Sequence, residues 1–203
     1  MSAFLGPIHH WLFRKIHFQN DMTNKIVEFC ELRDGSLRLR EKLRQQYGEL
    51  EHTPLEKIID SANIHGWLQK RVVMVESRLA DAVTSVLKKD KGLMPELEKL
   101  AFTFGKENTM TEITGAKNWF SFLNNVLLDG MPCDHANEVL SQDSEEVTWK
   151  RNLCVHKDYW DAAGGNIDNY YTLRDALIKG ILNGSGYGYQ KLEDSTYKIK
   201  KAV

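Results

Sequence analysis

Between Ile8 and Cys30 the apolar residues Ile8, Trp11, Leu12, Ile16, Ile26, Val27 and Cys30 recur at helical spacing, with Pro7 at a first-turn position and Asp34-Gly35 as a stop. The spacing predicts one long first helix. Residues 36–47 (SLRLREKLRQQY) predict a second helix, strongly basic, solvated, and ended by Gly48. Thr53-Pro54-Leu55-Glu56 combines an N-cap residue, a proline at the first helical position and a glutamate three residues after the cap, which is a capping box. It predicts a central core helix that runs through Ile58, Ile59, Ile64, Trp67, Leu68, Val72, Val75, Leu79, Val83 and Val86 to Lys89, with Gly66 as a kink or a close packing point. Further helices are expected over 95–104 and 114–128, the latter closed by Asp129-Gly130, with a polar loop at 105–111 between them.

After Pro132 the period shortens. Glu138 to Leu140, the polar Gln142-Asp143-Ser144-Glu145 and Val147 to Val155 read as strand, turn and strand, with Val147, Trp149, Leu153 and Val155 on one face. A helix over 166–182, capped by Asn166, follows. Tyr187 and Tyr189, then Glu193-Asp194-Ser195, then Tyr197 and Ile199 predict a second hairpin. The expected fold class is α+β, predominantly helical with a small C-terminal antiparallel sheet of about four strands. No repeat, low-complexity tract or Pro/Gly/Ser linker interrupts the chain, so residues 1–203 are read as one domain with a helical layer (1–131) and a hairpin-helix-hairpin half (132–203).

Charge removes some function classes. Lys and Arg number 27 against 28 Asp and Glu, so no global field draws the chain to nucleic acid or an anionic membrane. Apolar runs are only a handful of residues, short of the roughly 20 that cross a bilayer, and no basic region precedes the apolar residues of MSAFLGPIHHWLF. The expectation is a cytoplasmic protein, neither secreted nor membrane-spanning. Three cysteines, Cys30, Cys133 and Cys154, are an odd number and too few for a disulfide scaffold, which leaves reduced thiols, ligands or a nucleophile.

Candidate chemistry concentrates where Cys133-Asp134-His135 precedes the first strand and Cys154-Val155-His156 ends the second, at the same end of the expected hairpin. Strand alternation would place Cys154 and His156 together on the face opposite Leu153 and Val155. Cys133, His135, Cys154 and His156 then form a donor set suited to tetrahedral zinc, or to iron with an open position. A metal-free alternative has Cys154 as nucleophile, with His156 or His135 activating it and Asp134 or Asp158 orienting the imidazole. The plain alternative is that both cysteines are small half-buried apolar residues and the histidines cap strand ends. His9 and His10 lie in the first turns of the first helix. His65 and Glu76 lie about three turns apart on nearly one face of the central helix, a conceivable His/Glu pocket, although Glu-x-x-His elements are lacking. Gly164-Gly165 precedes a helix and reads as a connector, with an anion-binding turn as the alternative, and the glycines of Asn183-Gly184-Ser185-Gly186-Tyr187-Gly188 follow a helix and precede a strand, the reverse of a phosphate loop.

The order over 146–198, a strand ending in a cysteine (VTWKRNLCVH), a glycine-containing helical link (KDYWDAAGG), a helix and a final hairpin, resembles the C-terminal part of the L-2-amino-thiazoline-4-carboxylic acid hydrolase family and of vinyl-reductase-type ligand-binding domains. The resemblance covers about a quarter of the chain, and the family's cysteine-rich ending is replaced by Tyr197-Lys198-Ile199. It implies an α+β domain with a pocket between helices and sheet, and Cys154 as the site residue carried over. Taken together, the expectation is a small-molecule-handling protein with a Cys/His site, as a metal-assisted or cysteine-dependent hydrolase. The competing classes are a sensor module that binds a hydrophobic ligand, or haem with histidine as axial ligand, in a pocket walled by Trp119, Phe120, Phe122, Trp149, Tyr159, Trp160, Tyr170, Tyr171, Tyr187 and Tyr189, and an interaction protein using the basic 36–47 helix.

Overall fold

A computed structural model describes residues 4–193 and 195–202, and the fold is α+β. The helices are α1 (Pro7–Arg33), α2 (Leu39–Tyr47), α3 (Leu55–Ile58), α4 (Ile64–Lys89), α5 (Met94–Glu107), α6 (Ala116–Val126), α7 (Lys157–Ala162) and α8 (Ile167–Ile181). The strands β1 (Asn137–Gln142), β2 (Glu146–Arg151), β3 (Tyr187–Lys191) and β4 (Thr196–Lys201) form one antiparallel sheet in the order β1-β2-β4-β3. Two hairpins therefore pair through β2 and β4, with Trp149 opposite Tyr197 and Val147 opposite Ile199. These four side chains are buried on one face, where Phe120 of α6 meets Trp149 at 5.0 Å between ring centroids. Asp194, within the expected second turn, and Met1 to Ala3 lie outside the described residues. No helix among those described is long and apolar enough to cross a membrane.

The expected central helix is corrected at its start. A single turn, α3, is followed by an extended Ile59, and α4 begins only at Ile64. The break sits on the polar run Asp60-Ser61-Ala62-Asn63, where Asp60 Oδ1 accepts from the Ala62 N–H (3.0 Å) and Asn63 Oδ1 accepts from the Gly66 N–H (3.1 Å). Short polar side chains that bond nearby backbone compete with helix continuation, so Asn63 caps a new helix instead of lying inside an old one. Gly66, in the first turn of α4, is the close packing point of the two expected alternatives: a Cβ there would meet the capping side chain of Asn63 at 2.5 Å.

The second strand is also shorter than expected. β2 stops at Arg151, because its partner β1 begins at Asn137 and the preceding chain turns away through His135 in the left-handed region (φ 49°). The Asn152 and Leu153 N–H groups converge on the Ala136 carbonyl, Leu153 is half exposed, and Cys154 to His156 form the connector into α7.

Helices α5 and α8 cross at two glycines. A Cβ on Gly180 would lie 2.0 Å from the Phe102 carbonyl oxygen, and one on Gly105 would lie 2.3 Å from that of Leu177. Mid-helix Gly to Ala normally gains up to about 1 kcal/mol of helix propensity. Here the added methyl meets backbone that cannot step aside, so Gly180→Ala is expected to lower the unfolding free energy by about 1–3 kcal/mol in urea denaturation, reversing the propensity sign. A neutral or stabilising result would show that the two helices are not held this close.

Candidate functional site

His156 and Cys154 sit on the same connector but in different surroundings. His156, at the N-terminal end of α7, is 1% exposed and has a carboxylate at each ring nitrogen: Nδ1 lies 3.0 Å from Glu76 Oε2, and Nε2 lies 3.5 Å from Asp129 Oδ1. The second oxygen of Asp129 accepts from Arg174 Nη2 (2.8 Å) and from Asn137 Nδ2 (3.0 Å). Arg174 Nη1 donates to the Tyr170 hydroxyl at 3.1 Å, and the Tyr170 ring covers the imidazole at 4.0 Å between centroids. The cluster joins the middle of α4, the loop after α6, the start of β1, the connector before α7, and α8.

Its electrostatics follow from this arrangement. Burial alone would disfavour a charged imidazole, but the Glu76 and Asp129 carboxylates outweigh it and raise the His156 pKa to about 9. His156 is an imidazolium at neutral pH, donating from both nitrogens. Burial likewise disfavours the Asp129 anion, and Arg174 and His156 overcome that and hold its carboxyl well below the ordinary range. Glu76 Oε1, by contrast, is buried with no hydrogen-bond partner among the described residues.

Cys154 is half-buried and lies 3.1 Å from the Tyr171 hydroxyl, which donates to its Sγ. The Arg151 guanidinium stacks over the Tyr171 ring at 3.7 Å and donates to the Tyr197 hydroxyl (2.6 Å) and Ser195 Oγ (2.9 Å). Burial, followed by the bond to Cys154, pushes the Tyr171 pKa far up, so the hydroxyl keeps its proton. Cys30 is sealed in the core, and burial pushes its thiol up to about 11.

Of the four residues expected to gather round a metal, Cys133 and His135 are exposed on the turn before β1, Cys154 faces Tyr171, and His156 turns inward. No three His, Cys, Asp or Glu side chains among the described residues converge in a way that could hold a metal ion. The expectation that Cys154 and His156 share a strand face does not hold, because neither lies in a strand. His65 does not pair with Glu76: its Nε2 lies 3.3 Å from Nε2 of His9, and Glu76 belongs to His156. Beside Tyr170 and Arg174, a cavity of about 20 Å³ lined also by Gln19 and Phe18 has room for about one water and not for haem.

No family model, curated protein or solved structure matches the chain.

The His156 contribution to stability has a defined sign. Its folded pKa lies above the unfolded value near 6.5, so the stabilisation is complete below pH 6.5 and is lost as the pH rises through about 9. The difference in unfolding free energy between wild type and Glu76→Gln is expected to be largest, about 3–5 kcal/mol, below pH 6.5, and to shrink on the order of 3 kcal/mol by pH 9. Chemical denaturation across that range measures it, and a pH-independent difference would place the imidazolium elsewhere.

Proposed function

We propose that this chain handles a small molecule through the Cys154 thiol, in the manner of a cysteine-dependent hydrolase. The observation that carries the reading is the Tyr171 hydroxyl aimed at Sγ at 3.1 Å. A hydroxyl donating to sulfur stabilises an attacking thiolate and later the departing one. Arg151, stacked on Tyr171, adds positive charge beside that group, and the Lys157 ammonium also feels the Cys154 charge. The other thiols are worse candidates, since Cys30 is buried in the core and Cys133 is exposed on a turn. The family resemblance points to the same cysteine, and a free thiol fits a reducing cytoplasm.

His156 is not the base in this reading, because both its nitrogens already donate to carboxylates. Its part is to fix the connector two residues after Cys154. The thiol proton leaves to solvent, and Sγ bonds to the electrophilic carbon while the π pair moves onto oxygen. Collapse then expels the leaving group, which takes a proton from water. A water molecule cleaves the resulting thioester and restores the thiol. Among the described residues, the metal-assisted version lacks the converging donors it requires.

Iodoacetamide alkylation at pH 7 with peptide mapping tests this. Cys154 is expected to react faster than the more exposed Cys133, and Tyr171→Phe to slow Cys154 by about fivefold, the worth of one hydrogen bond of roughly 1 kcal/mol. A panel of activated esters and thioesters is expected to give an acyl-enzyme burst that Cys154→Ser abolishes. Equal alkylation of Cys154 and Cys133, or a burst that survives in Cys154→Ser, would refute the assignment.

A further inference from the structure

A cleft of about 510 Å³ lies between the C-terminal end of α4 and the Gly164-Gly165 turn that leads into α8. Lys88 and Lys91 line it, and no carboxylate does. Lys88 Nζ donates one N–H to the Ala163 carbonyl (3.1 Å), and Lys91 has no ion-pair or hydrogen-bond partner among the described residues. Asn166 caps the 15-residue α8 through its Oδ1, which accepts from the Asp168 N–H (2.9 Å), while its Nδ2 and the side chain of Asn169 have no partner among the described residues. Thr84, 4% exposed, also lines the cleft, and its Oγ1 is buried with no hydrogen-bond partner among the described residues. Thr23, Thr103 and Thr172, likewise within helices, each donate the hydroxyl to the carbonyl four residues earlier. Thr84 does not: its Oγ1 faces the glycine turn, where a Cβ on Gly165 would lie 2.2 Å from it. A Cβ on Gly164, whose φ is 63°, would lie 3.1 Å from Lys88 Nζ. The two glycines let the turn lie against α4, so that a helix N-terminus, two ammonium groups and an unsatisfied hydroxyl surround one space.

We infer that this cleft binds the phosphate group of a small phosphate monoester. The assignment stands independently of the thiol chemistry proposed for Cys154. The N-terminus of α8 carries partial positive charge on its free N–H groups, and the two ammonium groups add to it. Asp168, in the first turn of α8, opposes them, but it is exposed and does not line the cleft. A phosphate dianion offers three terminal oxygens, enough to accept from Lys88, Lys91 and a hydroxyl or amide at once, where a carboxylate offers two. An oxygen seated over the Gly164-Gly165 turn gives the Thr84 hydroxyl the acceptor it lacks, and a buried hydroxyl without one is costly. Leu87 and Met94 supply the apolar part of the lining, which suits the organic portion of an ester better than free phosphate.

The test titrates the full chain, labelled with nitrogen-15, with phenyl phosphate, inorganic phosphate and acetate at constant ionic strength and about pH 7.5, where the phosphates are mostly dianions, and follows backbone amide shifts by NMR. The amides of 164–169, Lys88 and Lys91 are expected to shift together, with phenyl phosphate binding at about millimolar Kd or tighter, severalfold more tightly than inorganic phosphate. Lys91→Met, which removes an exposed cation, is expected to weaken phenyl phosphate by about fivefold. Thr84→Val keeps the shape and removes the unsatisfied hydroxyl, so it is expected to weaken binding by about fivefold while unfolding at the same or a higher urea concentration. A threonine with only a structural role would lose stability and leave binding intact, and if Thr84→Val does not fold, Lys91→Met decides alone. Phosphate shifts no larger than those of acetate, shifts spread over exposed lysines such as Lys70 and Lys106 instead of gathered at 164–169, or wild-type affinity in Lys91→Met would overturn the inference. Equal affinity for phenyl phosphate and inorganic phosphate would overturn the assignment to an ester.

Discussion

The His156 imidazolium, held between the carboxylates of Glu76 and Asp129, is the contact on which the C-terminal half of the molecule depends. Burying any one of these charges alone would cost several kcal/mol, and only mutual neutralisation makes the group tolerable. The requirement is collective, so it constrains geometry far from the ring. The turn after α6 has to end with Asp129 facing inward, β1 has to start where Asn137 reaches that carboxylate, and α8 has to present Tyr170 and Arg174 one turn apart. The connector 152–156 has few backbone bonds of its own to hold it, and the imidazolium supplies the anchor.

This anchoring separates two roles that the sequence places side by side. A histidine that holds two carboxylates has no lone pair to offer a thiol two residues away, and the group that meets the Cys154 sulfur is the Tyr171 hydroxyl. The cluster is graded in exposure: the Asp129 and Arg174 side chains are 15% and 13% exposed, while Glu76 and His156 inside it are 1% exposed.

Much of the fold could be read from periodicity and punctuation. The long first helix, the Asn166 cap and the two hairpins follow from apolar spacing and turn residues, and the structure has them within a few positions. The misreadings come from local competition that periodicity does not register. The apolar stripe through Ile58, Ile59 and Ile64 ignores the Asp60 and Asn63 side chains that divide it, and the alternation through Val155 ignores that a strand needs a partner. The site was less accessible still. Cys154 and His156 stood out by residue type, but their partners Glu76, Asp129 and Tyr171 lie 17 to 80 residues away in the chain. One signal was present: Glu76 interrupts the apolar stripe of Val72, Val75, Leu79 and Val83, and a carboxylate there needs a buried cation. His65 satisfied that demand by spacing along one helix, whereas the fold satisfies it with a residue from another element.

Charge parity explains why the cluster takes this composition. A lone Glu76–His156 pair would leave the other nitrogen, an N–H donor in the imidazolium, unsatisfied in the core, and Asp129 fills that position. Asp129 then adds a second negative charge, which Arg174 neutralises, and Tyr170 closes the chain by accepting from Arg174 with a hydroxyl that burial keeps protonated. Each member is required by the one before it, and the sequence of requirements stops only at a neutral hydroxyl. It stays open at Glu76 Oε1, which is buried without a hydrogen-bond partner among the described residues.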